Sequence, residues 1–364
     1  MFPDDLESFK KLDKQNMLAE IDSLPDQLKS AWDLGQIQSL PGIKDVQRVV
    51  IAGMGDSALG ADLLAALVSA TCSVPVTIHR DYGLPAFACG KRTLVIASSH
   101  SGSTEETLDS FDAALKNDCA VVVISTGGEL VKRAVAKNIP TWVFHHNGQP
   151  RAALGYSFGL MLALFARLDL IPDPFGDVEE AVSAMKRSQE KIRADIPAAL
   201  NPAKRYAGQL MGRWATFFAA GILAPVARRF KYQINEIAKA GANFEILPEA
   251  DHNTLSGTTH PEEVLMPHTM NLFLRAPADH RSNRKRIDLT KQAFMIEGLN
   301  TDFLDARGES PLAQMWTMIL FGDYMAYYLA MAYGVDPTPV AQLENFKTAM
   351  KEQLKGNGSR LRDE

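Results

Sequence analysis

The sequence has few cysteines, no excess of basic residues and no apolar run at its start. Its 364 residues include only Cys72, Cys89 and Cys119, an odd number at wide spacing that fits neither a disulfide framework nor a zinc site and favours a reducing cytoplasm. The net charge of −5 argues against a nucleic-acid partner, because such surfaces need clustered Lys and Arg. Residues 1–5 are partly acidic and lack an apolar stretch, so we expect no secretion signal.

One stretch, residues 315–334, is apolar enough to raise the question of a membrane span. Asp323 lies in its middle beside Gly322, and an acid is costly at that depth of a bilayer. We therefore predict a helix buried in a large core, and we expect no membrane partner.

Short apolar strands alternate with helical patterns along the whole chain. The strands predicted in the first half cover residues 46–52, 74–79, 93–98, 120–125 and 141–145. Those predicted in the second half cover residues 214–221, 244–247 and 269–274. The longer helices predicted cover residues 58–68, 104–116, 178–196, 222–240, 281–297 and 310–333. The alternation predicts an α/β fold with two doubly wound domains, each a parallel sheet flanked by helices.

Proline and asparagine near residue 200 predict the boundary between the two domains. The first domain is expected to span residues 1–198, with a leading helical segment, and the second to span residues 199–364. The polar end, residues 351–364, is expected to fray.

The stretch at residues 99–107 is the most informative one, because a strand meets a helix N-terminus there among many hydroxyl groups. Unpaired N–H groups and the positive end of the helix dipole attract anions at such a terminus, so the stretch predicts a phosphate pocket. The spacing of Ser103 and Glu106 also fits an ordinary capping box, which uses only one of the four hydroxyls. The four are Ser99, Ser101, Ser103 and Thr104.

The glycine loop at residues 53–60 has two interpretations. As a dinucleotide fingerprint its third glycine, Gly60, comes two places late, although Asp81 lies where a ribose-binding acid belongs. That interpretation keeps a nicotinamide-dependent dehydrogenase as an alternative function. As a sugar-phosphate loop, Gly55 lets the backbone approach the ligand and Ser57 offers a hydroxyl.

Several motifs, in order, resemble the bifunctional phosphoglucose/phosphomannose isomerases of the sugar isomerase (SIS) domain superfamily. The resemblance implies two SIS domains, a homodimer, and reversible conversion of glucose 6-phosphate or mannose 6-phosphate to fructose 6-phosphate without metal or cofactor. The motifs are Gly53-Met54-Gly55-x-Ser57, Ser99-x-Ser101-Gly102-x-Thr104-Glu105-Glu106-Thr107, residues 150–155, Asn235-Glu236, Leu247-Pro248-Glu249-x-x-His252-Asn253, and residues 336–340 before Lys347.

The resemblance also implies a role for each site residue. Glu236 is the base that moves a proton between C1 and C2, and His252 of the partner subunit is the acid that opens the sugar ring. Arg151 stabilises the enediolate, and Lys347 lies near the ring oxygen. The phosphate is held by Gly55, Ser57, Ser99, Ser101 and Thr104.

From the residues alone, simpler interpretations stay open. Glu236 is equally a helix charge paired with Lys231 or Lys239, and His252 a loop histidine that caps backbone groups. Arg151 and Lys347 are equally solvated surface charges. A phosphosugar-binding regulator without full isomerase activity is a further alternative function.

Three positions depart from the usual family motifs. Asp56 stands where a glycine is usual, and it opposes a bound phosphate unless it points away or pairs with a cation. His100 stands in place of tyrosine and Ser103 in place of asparagine. The adjacent His145 and His146 point apart on a strand and make a poor metal pair.

Overall fold

A computed structural model describes residues 4–360, so the last four residues of the predicted frayed end lie outside the described part. Three helices precede the first sheet: α1 Leu6–Leu12, α2 Met17–Asp22 and α3 Leu24–Ile37. The first sheet consists of β1 Arg48–Ala52, β2 Val76–His79, β3 Thr93–Ser99, β4 Ala120–Ser125 and β5 Thr141–Val143. The helices of this half are α4 Gly55–Val68, α5 Glu105–Lys116, α6 Gly128–Ala136, α7 Leu154–Arg167 and α8 Phe175–Ile192.

The second half repeats the pattern with a four-stranded sheet. Its strands are β6 Trp214–Ala219, β7 Ala242–Ile246, β8 Thr269–Arg275 and β9 Thr301–Asp305. Its helices are α9 Pro202–Leu210, α10 Ala224–Glu236, α11 Glu262–His268, α12 Arg281–Ile296, α13 Pro311–Tyr333 and α14 Ala341–Arg360.

Both sheets are parallel throughout, which confirms the predicted fold class. The strand order is β2-β1-β3-β4-β5 in the first sheet and β7-β6-β8-β9 in the second. Every residue of β3 is buried, as expected for a strand covered by helices on both faces. The order reverses between β1 and β3 and again between β6 and β8. Ligands in such sheets bind at the carboxyl ends of the strands beside the reversal.

The long helix α13 is almost completely buried and packs against α8, α9 and α10. It therefore confirms the prediction of a buried core helix for residues 315–334. One continuous apolar core includes α13 and residues of both sheets. Across residues 4–360, no helix is long and apolar enough to cross a membrane.

Some predicted elements need correction. Strand β9 was not predicted, because two of its five residues are acids and it lies at the sheet edge. Helices α9 and α11 were also not predicted. The predicted strand at residues 141–145 ends at Val143, and the helix predicted at residues 178–196 covers Phe175–Ile192. Residues 351–360 continue helix α14 where fraying was predicted. The domain boundary at residue 198 stays a prediction.

Helices α3 and α7 pack closely because small residues line their contact. A Cβ atom added to Gly159 of α7 would lie 2.7 Å from the Cβ of Ala31 in α3. This contact holds the leading helices against the first half of the chain.

We expect Gly159→Ala to lower the free energy of unfolding by about 1–3 kcal/mol, because the added methyl group overpacks the contact. The matched control is Gly176→Ala in α8, where an added Cβ meets nothing within 4 Å. Urea denaturation measures both. Equal effects of the two substitutions would contradict this account of the helix contact.

Candidate functional site

The two loops predicted to hold a phosphate lie side by side at the first reversal of strand order. Strands β1 and β3 are neighbours, with Ala52 opposite Ala97. Helix α4 begins at Gly55 immediately after β1, and α5 begins after its N-cap residue Thr104. Two helix N-termini therefore open at the same edge of the sheet, where backbone N–H groups attract anions.

The hydroxyls of the second loop contact one another. Ser99 Oγ lies 3.0 Å from Thr104 Oγ1 and accepts a hydrogen bond from the Gly102 amide at 3.1 Å. The amide of Ser103 donates to Ser101 Oγ at 3.3 Å. Ser103 does not cap α5, so the predicted capping box is wrong. The hydroxyls instead organise the loop around a turn that exposes Ser101.

Gly102 makes this turn possible. Its φ is +62°, and a Cβ atom there would lie 1.8 Å from the carbonyl oxygen of Gly127. Both observations require glycine, which has no Cβ and adopts positive φ without strain.

A small cavity of about 10 Å³ joins the loops to the segment that carries Arg151. Its lining includes Ser57 from the first loop, His100 from the second and Pro150. The three sequence motifs that contain these residues therefore meet in space.

Arg151 is buried and lies beside Glu236. Its side chain is 2% exposed, and its Nη1 lies 3.6 Å from Oε2 of Glu236. Its Nη2 donates to the carbonyl oxygens of Pro337 and Thr338, at 3.0 and 2.5 Å. Its Nε has no hydrogen-bond acceptor within the described part of the chain. The interpretation of Arg151 as a solvated surface charge is therefore wrong.

Glu236 is the last residue of α10, and its side chain is 25% exposed. Burial raises the pKa of Glu236 to about 7; the negative charge of Asp56 adds to the rise, and Arg151 and Arg229 oppose it. A carboxylate with a pKa near neutrality can both take up and return a proton. Its predicted pairing with Lys239 is wrong in detail, because Lys239 Nζ donates to the backbone carbonyl of Glu236.

Lys239 is a further cation of this site. Its Nζ donates to the carbonyl of Pro337 at 3.2 Å. Desolvation, together with the charge of Arg151, lowers the pKa of Lys239 to about 8. The segment between α13 and α14 thus accepts hydrogen bonds from two cationic side chains, Arg151 and Lys239. These bonds explain why the motif at residues 336–340 belongs to the site.

Asp56 pairs with a buried cation. Such a pairing is one of the two conditions under which we predict that this acid does not oppose a bound phosphate. Arg229 of α10 is 1% exposed, and its Nη1 donates to Oδ1 of Asp56 at 2.5 Å. The same guanidinium donates to both oxygens of Asp323, at 3.1 and 2.8 Å, and to the carbonyl of Arg151 at 2.7 Å.

His252 and Lys347 lie apart from this cluster. His252 ends a short 3-10 helix after β7, and Lys347 lies on α14; both side chains are exposed. Over residues 4–360, neither side chain makes a hydrogen bond or ion pair with Arg151 or Glu236. Asp251 fixes the loop of His252, since it accepts from Arg286 at 2.8 Å and Thr290 at 2.7 Å.

The two other departures from the family motifs differ in their surroundings. His100 Nε2 lies 2.9 Å from Nδ1 of His146, whose Nε2 lies 3.0 Å from Oε2 of Glu20. Burial lowers the pKa of His100 to about 4, and the neighbouring His146 adds to this shift. Ser103 is exposed at the loop surface. His145 is exposed and His146 is half-buried; both follow the end of β5 at Val143, so the prediction that they point apart on a strand is wrong about the strand.

The second reversal of strand order suits a phosphate poorly. Residues 276–279, which follow β8, carry no hydroxyl group. Asp279 is buried there, and burial raises its pKa to about 6. The edge of the second sheet therefore differs from that of the first in having a buried acid and in lacking hydroxyl groups after β8. A larger cavity of about 450 Å³ lies elsewhere, between α8, α9, β9 and α13, and includes no predicted site residue.

Comparison with known proteins identifies the family of the chain. Residues 199–350 match the family described as the bacterial phospho-glucose isomerase C-terminal SIS domain. The bifunctional phosphoglucose/phosphomannose isomerase of Caldicellulosiruptor bescii is 36% identical over 340 residues, which are 92% of this chain and 99% of that protein. The chain belongs to the bifunctional phosphoglucose/phosphomannose isomerase family.

Other members and folds are consistent with this family assignment. The Aquifex aeolicus bifunctional phosphoglucose/phosphomannose isomerase is 30% identical over 305 residues, covering 84% of this chain and 90% of that one. The crystal structure of a hypothetical protein from Thermus thermophilus has a TM-score of 0.73 at 17% identity, over 96% of this chain and 94% of that chain. The latter likeness concerns the fold alone.

Sequence reasoning missed Arg229, Asp323 and Lys239 as members of this candidate site. Arg229 precedes Glu236 by seven residues, so both lie on one face of α10. Asp323 was noted inside an apolar helix, where a buried acid requires a partner. These two signals together point to an Asp–Arg pair.

We expect Arg229→Met to lower the free energy of unfolding by about 3–5 kcal/mol, because it leaves two carboxylates buried without their cation. Burial already raises the pKa of Asp323. A carboxyl group whose pKa is higher in the folded state than in the unfolded state contributes stability that is lost as the pH rises. The loss of unfolding free energy in Arg229→Met should therefore be smaller at pH 5 than at pH 8.

The control for this substitution is Arg275→Met. Arg275 pairs with Asp288 and Asp305, all three being partly or well exposed, and its loss should cost less than about 1 kcal/mol. Urea denaturation between pH 5 and pH 8 measures both variants. A deficit for Arg229→Met no larger than that of the control would contradict the structural role of the buried cluster.

Proposed function

We propose that this protein interconverts glucose 6-phosphate and mannose 6-phosphate with fructose 6-phosphate through an enediolate. Family membership supports the reaction class. The single observation that carries the proposed mechanism is the placement of a buried guanidinium, with an unpaired Nε, beside a carboxylate whose pKa is raised to about 7.

The proposed chemistry moves one proton between adjacent carbons. Glu236 takes the proton from C2 of the open-chain aldose, the C2–H electron pair forms the C1–C2 double bond, and O1 gains negative charge. Arg151 donates to the enediolate oxygens, which replaces solvent by a fixed positive charge. Glu236 then returns the proton to C1, and a proton shift between the oxygens completes the ketose.

The proposed phosphate site uses neutral donors. The hydroxyls of Ser57, Ser99, Ser101 and Thr104, the flexible backbone at Gly55 and the N-termini of α4 and α5 surround one edge of the sheet. Asp56 is bound to Arg229, and this pairing with a cation lessens the opposition of its carboxylate to a bound phosphate.

Ring opening is assigned to His252 and Lys347, which both present exposed side chains. We propose that two copies of the chain form a homodimer in which His252 of the partner subunit completes the site. We further propose a cytoplasmic enzyme, since its three cysteines are free and the cytoplasm keeps thiols reduced.

The reaction is tested by an assay that starts from fructose 6-phosphate and measures glucose 6-phosphate and mannose 6-phosphate separately. We expect both products from the wild-type protein and a loss of about 10²–10⁴ in rate for Glu236→Gln, because an amide cannot accept the C2 proton. The exposed Glu262→Gln is the control. Near wild-type turnover by Glu236→Gln would remove Glu236 from the role of base.

Subunit mixing tests the shared site. After exchange of Glu236→Gln with His252→Asn, half of the dimers are mixed, and one site in each mixed dimer holds both intact residues. We therefore expect recovery of about a quarter of the wild-type activity. A mixture that stays inactive, although labelled subunits are seen to exchange, would show that each site uses residues of one chain.

A further inference from the structure

Asp56 adds a negative charge that the burial of Arg229 does not require. Asp323 alone accepts hydrogen bonds from Nε and Nη2 of Arg229 and forms a neutral buried pair with it. Asp56 then contributes a second carboxylate, 7% exposed, to the same guanidinium.

This buried cluster reaches the reacting groups directly. The Nη2 of Arg229 donates to the backbone carbonyl of Arg151 at 2.7 Å, and Nη1 of Arg151 lies 3.6 Å from Glu236. Arg229 and Glu236 also lie two turns apart on α10. A change at Asp56 is therefore transmitted through one side chain to both the guanidinium and the carboxylate of the site.

Glu236 belongs to a connected cluster of charges, in which each member interacts with at least one other. The cations are Arg151, Arg229 and Lys239, and the other acids in the cluster are Asp56, Asp323 and Asp336. The charges of these three cations and three acids cancel when Glu236 is protonated and neutral. Without Asp56 the charges of the cluster cancel only when Glu236 is ionised.

We propose that Asp56 is a positioning residue for the isomerisation: bound to Arg229, it helps to hold Arg151 beside Glu236 and fixes a surplus negative charge next to that carboxylate. This inference rests on the proposed function of Glu236 as the base. The raised pKa of Glu236, to which burial contributes most and Asp56 next, agrees with it. Asp56 thus adds to the effect of burial in favouring the protonated form of Glu236.

The first test compares the pH dependence of kcat/KM for fructose 6-phosphate in the wild type and in Asp56→Asn. Asparagine keeps an oxygen that accepts from Arg229 and removes the charge. We expect the acid limb to move to lower pH by about one unit, which is a tenfold gain in ionised base at the acid end. The ratio of variant to wild type cancels the titration of the substrate phosphate, which both share.

The matched control is Asp62→Asn. Asp62 lies on the same helix and pairs with the neighbouring arginine of α10, Arg228, at 3.0 Å, but it is not among the charges that shift the pKa of Glu236. Its acid limb should coincide with that of the wild type. A ratio for Asp56→Asn that is flat across pH, like that of the control, would overturn the proposal.

A second measurement does not depend on activity. The Glu236 carboxyl carbon, labelled with ¹³C and assigned by its loss in Glu236→Gln, reports its titration midpoint by NMR. The midpoint should fall in Asp56→Asn and stay in Asp62→Asn; an unchanged midpoint overturns the proposal. If Asp56→Asn fails to fold, Asp56→Gly, which leaves Asp323 on Arg229, takes its place. If the wild type is inactive but the midpoint of Glu236 still falls in Asp56→Asn, the proposed reaction is rejected and the effect of the Asp56 charge on Glu236 is kept.

Discussion

A buried arginine is stable only when anions pair with it, and the anions that pair with Arg229 determine the geometry of the candidate site. Its two carboxylate partners come from different parts of the chain, Asp56 at the start of α4 and Asp323 in the middle of α13. A third bond fixes the carbonyl of Arg151. Since an unpaired charge in such a place costs several kcal/mol, these segments are held together, and the candidate site keeps its shape.

The two halves of the chain supply different kinds of group. The first sheet presents hydroxyls and helix N-termini at its reversal of strand order, which suits an anionic phosphate without any cation. The charged end of the candidate site is instead built from side chains of both halves, with Arg151 from the first and Glu236 and Lys239 from the second. The buried core shared by both sheets holds these two groups of residues in a fixed arrangement.

Local patterns allowed much of the fold to be predicted from the sequence. Runs such as Val49–Ile51 and residues 121–124 identify buried strands, and glycine or hydroxyl residues mark the loops that follow them. Strand β9 escaped prediction because its apolar content is low at an exposed edge. Hydroxyl groups at a helix N-terminus predicted the phosphate loop at residues 99–107 without any comparison, whereas the roles of Glu236 and Arg151 came from a family resemblance. Two of the charges that shift the pKa of Glu236, Asp56 and Arg151, lie far away along the chain, so only the folded structure brings them to it.

The most direct test of the account is a crystal structure with a five-carbon sugar acid phosphate, whose carboxylate resembles the enediolate. The account predicts the phosphate within hydrogen-bond distance of the hydroxyls of Ser57, Ser99, Ser101 and Thr104. It predicts the carboxylate against Arg151, with one oxygen on Nε, and Glu236 beside the adjacent carbon. A phosphate bound elsewhere, for example near Arg307 in the larger cavity, with these hydroxyls still paired to one another, would contradict it.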